Sequence, residues 1–182
     1  MESLPNDPNI KCLVFGKSDS GKTRFVYEYA TSILSDNPDA VCLIIARKSK
    51  AERKLVDCGD CPYLNRILYK WATDPISLIQ IASCLHTYMD QELRLLVIED
   101  ILEFVSSSQA NAIISFFLNG ITVFPSCRFI VTMTPKKESN ICNFRLSMTH
   151  FVNTFNGTRK IGEFPKSIAK AEREIHECLR YE

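Results

Sequence analysis

Gly16-Lys17-Ser18-Asp19-Ser20-Gly21-Lys22-Thr23 satisfies the pattern G-x-x-x-x-G-K-[ST] at every defined position. The chemistry this spacing serves is the gripping of phosphate. Gly16 and Gly21 permit a tight backbone path that turns successive N–H groups inward around an anion. A helix starting at the end of the loop adds its unpaired N–H groups and the positive end of its dipole. Lys22 would reach the β- and γ-phosphates as a point charge, and the Thr23 hydroxyl would ligate Mg²⁺. The whole run Gly16, Lys17, Ser18, Asp19, Ser20, Gly21, Lys22 and Thr23 is therefore the expected nucleotide cradle, for ATP with Mg²⁺.

A second chemical group stands at Glu99-Asp100, directly after the apolar run Leu95-Leu96-Val97-Ile98. In P-loop proteins an acidic residue at the end of a neighbouring strand supports the metal. Glu99 is the expected Mg²⁺ partner alongside Thr23, and the other carboxylate would orient or activate an attacking water; which of the two takes which role stays open. Thr134, at the end of a later apolar run, is the candidate to sense the γ-phosphate, with Thr132 as runner-up. The expected catalytic set is thus Lys22, Glu99, Asp100 and Thr134.

These residues need elements to hold them. Residues 11–15 make a short apolar run that stops at Gly16 and suits a buried strand. Arg24 to Leu34 carries Phe25, Tyr29 and Ile33 at helical spacing, and Asp36-Asn37-Pro38-Asp39 breaks it. Val41 to Ala46, Arg66 to Ala72, Leu93 to Ile98 and Phe129 to Met133 read as further strands. Between the second and third of these, Thr73 or Asp74 caps a helix with Pro75 at its first position, and Ile76, Ile79, Leu85 and Met89 form its apolar face. Ser106 to Ser108 starts another helix, continuing from Ala110 to Leu118. Leu146 to Phe155 and Lys160 to Phe164 are expected to pair about an Asn156-Gly157 turn, and Ser167 to Tyr181 reads as a charged helix. Strands alternating with helices imply an α/β fold: a three-layer P-loop NTPase with a mainly parallel central sheet and a C-terminal hairpin plus helix. The expected division is 1–10 as a flexible leading segment, 11–165 as the ATPase domain and 166–182 as the charged helix.

Bulk properties agree with one globular unit. The chain has 182 residues, 46% hydrophobic and 24% charged, with net charge +1, so no global field marks a nucleic-acid or membrane binder and any such surface is local. The densest basic cluster holds Arg47, Lys48, Lys50 and Arg53. Lys136-Lys137 follows the Thr134 strand. Either patch could neutralise DNA phosphates, and a solvated face is the alternative for both. No run approaches the roughly 18 apolar residues that span a bilayer. There are 8 cysteines, and Met1 to Asn9 lacks the apolar stretch of a signal peptide, so a reducing compartment is expected. Cys12, Cys42 and Cys84 read as small buried hydrophobes. Cys58-Gly59-Asp60-Cys61 is a lone pair without the further ligands of a zinc site.

Taken together, Lys11 to Thr23, Val41 to Lys48, Leu64 to Leu85, Leu95 to Val105 and Arg128 to Thr134 make the order of segments similar to the RecA-like ATPase core of the eukaryotic recombinase paralogues. Within that family the chain most resembles the SWIM-domain-associated ATPases of Shu-type recombination complexes. The resemblance implies a nuclear protein of homologous recombination repair that binds single-stranded DNA, hydrolyses ATP slowly and pairs with a SWIM-type zinc-finger partner. It would assist the main recombinase or its paralogues. Two departures bear on activity. Arg47-Lys48 stands where active recombinases of the family carry a catalytic glutamate, and Glu99 stands where they usually carry aspartate. No extra N-terminal domain and no polymerising segment is seen, which suits an accessory role. A pseudo-ATPase scaffold for partner binding competes with this reading. A small-molecule P-loop kinase is disfavoured by the absence of an arginine-rich lid, and a guanine-nucleotide switch by the absence of Asn-Lys-x-Asp.

Overall fold

The computed structural model describes residues 4, 7, 9–47, 62–135, 144, 147–155 and 158–163. Seven strands form one sheet: β1 (Lys11–Phe15), β2 (Ala40–Ala46), β3 (Ile67–Trp71), β4 (Glu92–Ile98), β5 (Arg128–Met133), β6 (His150–Phe155) and β7 (Thr158–Glu163), in the order β3-β2-β4-β5-β1-β6-β7. All neighbours are parallel except β6 and β7. Among the described residues three α-helices flank it: α1 (Lys22–Asp36), α2 (Pro75–Ser83) and α3 (Ser107–Gly120). β5 lies between the strand that opens the glycine loop and the strand that ends at Glu99, an interposition that local sequence pattern does not reveal.

The strands are buried on both faces, so their side chains divide by period two between two cores. Leu13, Phe15, Leu43, Ile45, Leu96, Ile98, Phe129 and Val131 face α2 and α3. Cys12, Val14, Cys42, Ile44, Leu95, Val97 and Ile130 face α1 through Phe25, Val26, Ala30, Ile33 and Leu34. Leu4 and Ile10, from the leading segment, are buried in this second core. The three layers are those expected of alternating strands and helices.

Local details correct several readings. α2 is capped by Asp74, whose side chain accepts from the Ser77 N–H at 2.8 Å. Its buried face is Leu78 and Ala82, continued by Leu85; of the expected stripe, Leu85 is buried and Ile79 packs against the core, but Ile76 is 69% and Met89 63% exposed. The α-helix ends at Ser83 and a 3₁₀ turn follows over Leu85–Tyr88, so helical spacing cannot be carried through to Met89. Cys84, at that junction, is exposed, whereas Cys12 and Cys42 are buried as expected. β6 begins at His150 rather than near Leu146, because Ser147 and Met148 turn back through their N–H groups onto the Phe144 carbonyl. α1 begins at Lys22, two residues earlier than its apolar spacing suggests. The Asn156-Gly157 turn, Cys58, Cys61 and the Ser167–Tyr181 segment lie outside the described residues. Among the described residues no helix is long and apolar enough to cross a membrane.

One side chain that sequence reading passed over ties the end of α1 to β3. The Arg66 guanidinium donates to the carbonyls of Leu34 at 2.7 Å, Asn37 at 2.7 Å and Pro38 at 2.8 Å, and stacks 4.7 Å from the Tyr63 ring centre. Those carbonyls belong to the helix terminus and the turn after it, where a cation is favoured. Arg66→Ala is expected to lower stability by about 2 kcal/mol, the scale of several charge-assisted hydrogen bonds net of hydration. Chemical denaturation should show the loss as a lower midpoint at constant slope. Arg66→Lys should restore little of it, since a single ammonium cannot span the same carbonyls.

Candidate phosphate-binding site

The loop that leaves β1 is closed by conformations few sequences can supply. Gly21 has φ +100° and Asp19 φ +60°, both in the left-handed region. An aspartate tolerates that region better than most residues, and glycine tolerates it best. Gly16 is required for a different reason. A Cβ built there would stand 2.3 Å from the Thr154 carbonyl oxygen and 2.5 Å from Ser20 Oγ and Thr154 Oγ1. Two backbones are in contact at that point, and no side chain fits between them.

Lys22 begins α1 and is buried, 6% exposed. Its Nζ donates to the carbonyls of Gly16 at 2.8 Å and Lys17 at 2.6 Å. The side chain thus folds back over its own loop, and its charge is held at the loop's mouth rather than in solvent. Lys17, Ser18 and Asp19 are exposed along the rim, Ser20 is buried, and Thr23 is half-buried in the first turn of α1. Loop, lysine and helix start together suit an anionic ligand such as a triphosphate: the loop path is tight, the Lys22 ammonium is anchored at its mouth, and α1 opens directly after it.

The acidic pair Glu99-Asp100 follows the end of β4. Glu99 follows Ile98, so by alternation it points with Leu95 and Val97 toward the α1 face, and it is buried at 5% exposure. Its N–H donates to the Ile45 carbonyl at 2.9 Å, anchoring it to the end of β2. β4 and β1 are separated by β5 alone, which places the acidic strand end about 10 Å from the loop strand at ordinary strand spacing. That distance leaves room for phosphate oxygens and a hydrated cation between them.

Asp100 takes φ +47°, again left-handed. Two threonines of the β5 end hold it: its N–H donates to Thr132 Oγ1 at 2.8 Å, and Thr134 Oγ1 donates to its Oδ1 at 3.0 Å. Both residues singled out as phosphate sensors thus hydrogen-bond Asp100. Arg47 ends up beside the same edge, donating to the Thr73 carbonyl at 3.3 Å with its guanidinium 5.7 Å from the Phe104 ring centre. Lys48, Lys50, Arg53, Lys136 and Lys137 lie outside the described residues.

The edge hairpin contributes residues that motif reading missed. Ser20 Oγ and Thr154 Oγ1 are 2.6 Å apart, and Thr154 Oγ1 also donates to the Phe15 carbonyl at 3.2 Å. On the outside of α1, Glu28 accepts from Arg24 at 2.8 Å and from Arg159 of β7 at 2.6 Å. Burial raises the Glu28 carboxyl, but hydrogen bonds and charge from these two arginines outweigh it and hold the group below the ordinary carboxylate range. Nothing local marks Thr154 or Arg159. A threonine and an arginine in alternating strands read as ordinary β-formers and surface charge.

Sheet order, loop and buried acid together define the RecA-like P-loop NTPase fold. Among solved structures, the crystal structure of the flagellar accessory protein FlaH from Methanocaldococcus jannaschii is similar, with a TM-score of 0.56 at 14% identity over 85% of this chain and 76% of that one. That likeness is one of fold. No protein-family model matches the sequence. No curated protein matches it either. The fold recurs in 367 chains of solved structures, so function has to be argued from the site.

Proposed function

We propose that this protein binds ATP with Mg²⁺ in the loop 16–23 and hydrolyses it weakly, as an accessory ATPase of homologous recombination repair that binds single-stranded DNA and a SWIM-domain partner. The observation that carries the nucleotide part is Lys22 Nζ, anchored on the Gly16 and Lys17 carbonyls at the mouth of the loop. Backbone N–H groups of the loop and of the first turn of α1 bind the phosphates, and Lys22 neutralises their charge. Thr23 and Glu99 are the residues that would hold Mg²⁺, which supplies Lewis-acid stabilisation of the phosphoryl oxygens. Asp100, which hydrogen-bonds Thr132 and Thr134, would orient the attacking water.

The recombination part rests on the resemblance of the segments between Lys11 and Thr134 to recombinase paralogues, and with it the nuclear location and the partners. A second reading, a scaffold that binds nucleotide without turning it over, is favoured by Arg47. It stands at the end of β2, where the resembled family keeps a catalytic glutamate, and its guanidinium is engaged with Thr73 and Phe104.

The deciding measurement is phosphate release from Mg-ATP by the full chain, with and without single-stranded DNA, beside a binding isotherm for the same nucleotide. Slow release that rises with DNA supports the accessory ATPase. Binding without release selects the scaffold. No binding rejects both. Capture with a SWIM-domain protein tests the partner separately.

A further inference from the structure

β6 runs parallel to β1 with Asn153 opposite Phe15, so the next residue, Thr154, comes to lie against Gly16. Thr154 is buried, 1% exposed. Its hydroxyl proton goes to the Phe15 carbonyl, so its oxygen accepts from the Ser20 hydroxyl at 2.6 Å. Ser20 → Thr154 → Phe15 is thus a short relay from the far side of the loop to the end of the strand that launches it. The second strand of the same hairpin takes hold of α1. Arg159 lies 5.1 Å from the Phe25 ring centre and pairs with Glu28. One hairpin therefore grips both the loop and the first turns of the helix after it.

We propose that Thr154 is a positioning residue for the phosphate site, holding the loop through Ser20 in its anion-accepting shape before any ligand arrives. The proposal rests on the nucleotide-binding reading above. Thr154 is turned toward Ser20 and the end of β1 and acts on a ligand through the loop. A loop already in its bound shape loses less conformational freedom on binding, and that difference appears as affinity. Without Thr154 Oγ1, the Ser20 hydroxyl and the Phe15 carbonyl lose a partner in a buried place, and the loop gains by turning Ser20 toward water.

The test compares Thr154→Val, which keeps the shape and removes the hydroxyl, with Thr154→Ser, which keeps the hydroxyl. Two quantities are read on the full chain: amide hydrogen exchange of residues 17–22 without ligand, and the Kd for Mg-ATP. Thr154→Val should speed loop exchange about tenfold and weaken binding about tenfold, the effect of one buried hydrogen bond. Exchange in β5 should not change, and Thr154→Ser should restore both readings. If Thr154→Val does not fold, Ser20→Ala cuts the same bond from the loop side and should give the same pattern. Unchanged loop exchange overturns the proposal. So does equal acceleration in the loop and β5, which would mark a merely structural residue. A wild-type chain that binds no Mg-ATP would defeat the nucleotide reading, and loop exchange would still decide for or against the Thr154 clamp.

Discussion

Lys22→Ala is expected to weaken Mg-ATP binding by at least about a hundredfold while leaving the fold intact. The Nζ is the cation anchored at the mouth of the loop, 2.8 Å from the Gly16 carbonyl and 2.6 Å from that of Lys17. A phosphate charge about 4 Å away, at an effective dielectric of about 20, interacts with it by about 4 kcal/mol. That is close to a thousandfold in affinity, and part of it is offset because the phosphate remains better solvated when the ammonium is gone. Lys22→Arg should rescue poorly, because the site is buried and shaped for a compact ammonium. Thermal unfolding with and without Mg-ATP gives a direct check: the wild type should gain stability with ligand and the alanine variant should not. An equal ligand-induced shift in both would remove the lysine from the site.

Gly16→Ala should be the most damaging single methyl in the molecule. Its Cβ would stand 2.3 Å from the backbone oxygen of Thr154, and a backbone atom of β6, just past the last β1–β6 pair Phe15–Asn153, cannot rotate away as a side chain can. The strands or the loop must move, an overpacking cost of about 3 kcal/mol, and nucleotide binding should be lost with it. Gly21→Ala provides the contrast. There a Cβ meets nothing within 4 Å, but φ is +100°, so the cost is conformational strain of about 1–2 kcal/mol. Equilibrium unfolding of the two variants should rank Gly16→Ala clearly below Gly21→Ala. The reverse order would mean that β6 does not press on the loop.

Much of the fold was legible because its signals are local. A short apolar run bounded by polar or turn residues suits a buried strand, and β1, β2, β4 and β5 lie within a residue of the bounds such runs give. Asp74-Pro75 announces a helix start because capping chemistry acts over only three residues. The expected apolar face of α2 is half right, with Ile79 and Leu85 against the core and Ile76 and Met89 exposed, because Ile76 and Met89 look as hydrophobic as Leu78 and only packing against the sheet says which of them is covered. That Thr134 ends a strand is legible locally, but its partner is not. The structure turns its hydroxyl to Asp100, a partner 34 positions away. Arg66 escaped notice because its carbonyl partners lie up to 32 positions earlier.

The amino-acid sequence by itself marked the loop, since its glycines, lysine and threonine fall within eight consecutive residues. It also determined the strands and helices, whose hydrophobic period is a property of neighbours in the chain. Only the tertiary structure decided that β5 separates the loop from the acid, that Thr132 and Thr134 hydrogen-bond Asp100, and that Thr154 bears on Ser20 from 134 positions away. Such contacts depend on which strands lie side by side, and strand order arises from burying two sheet faces at once, a demand that no local stretch of residues expresses.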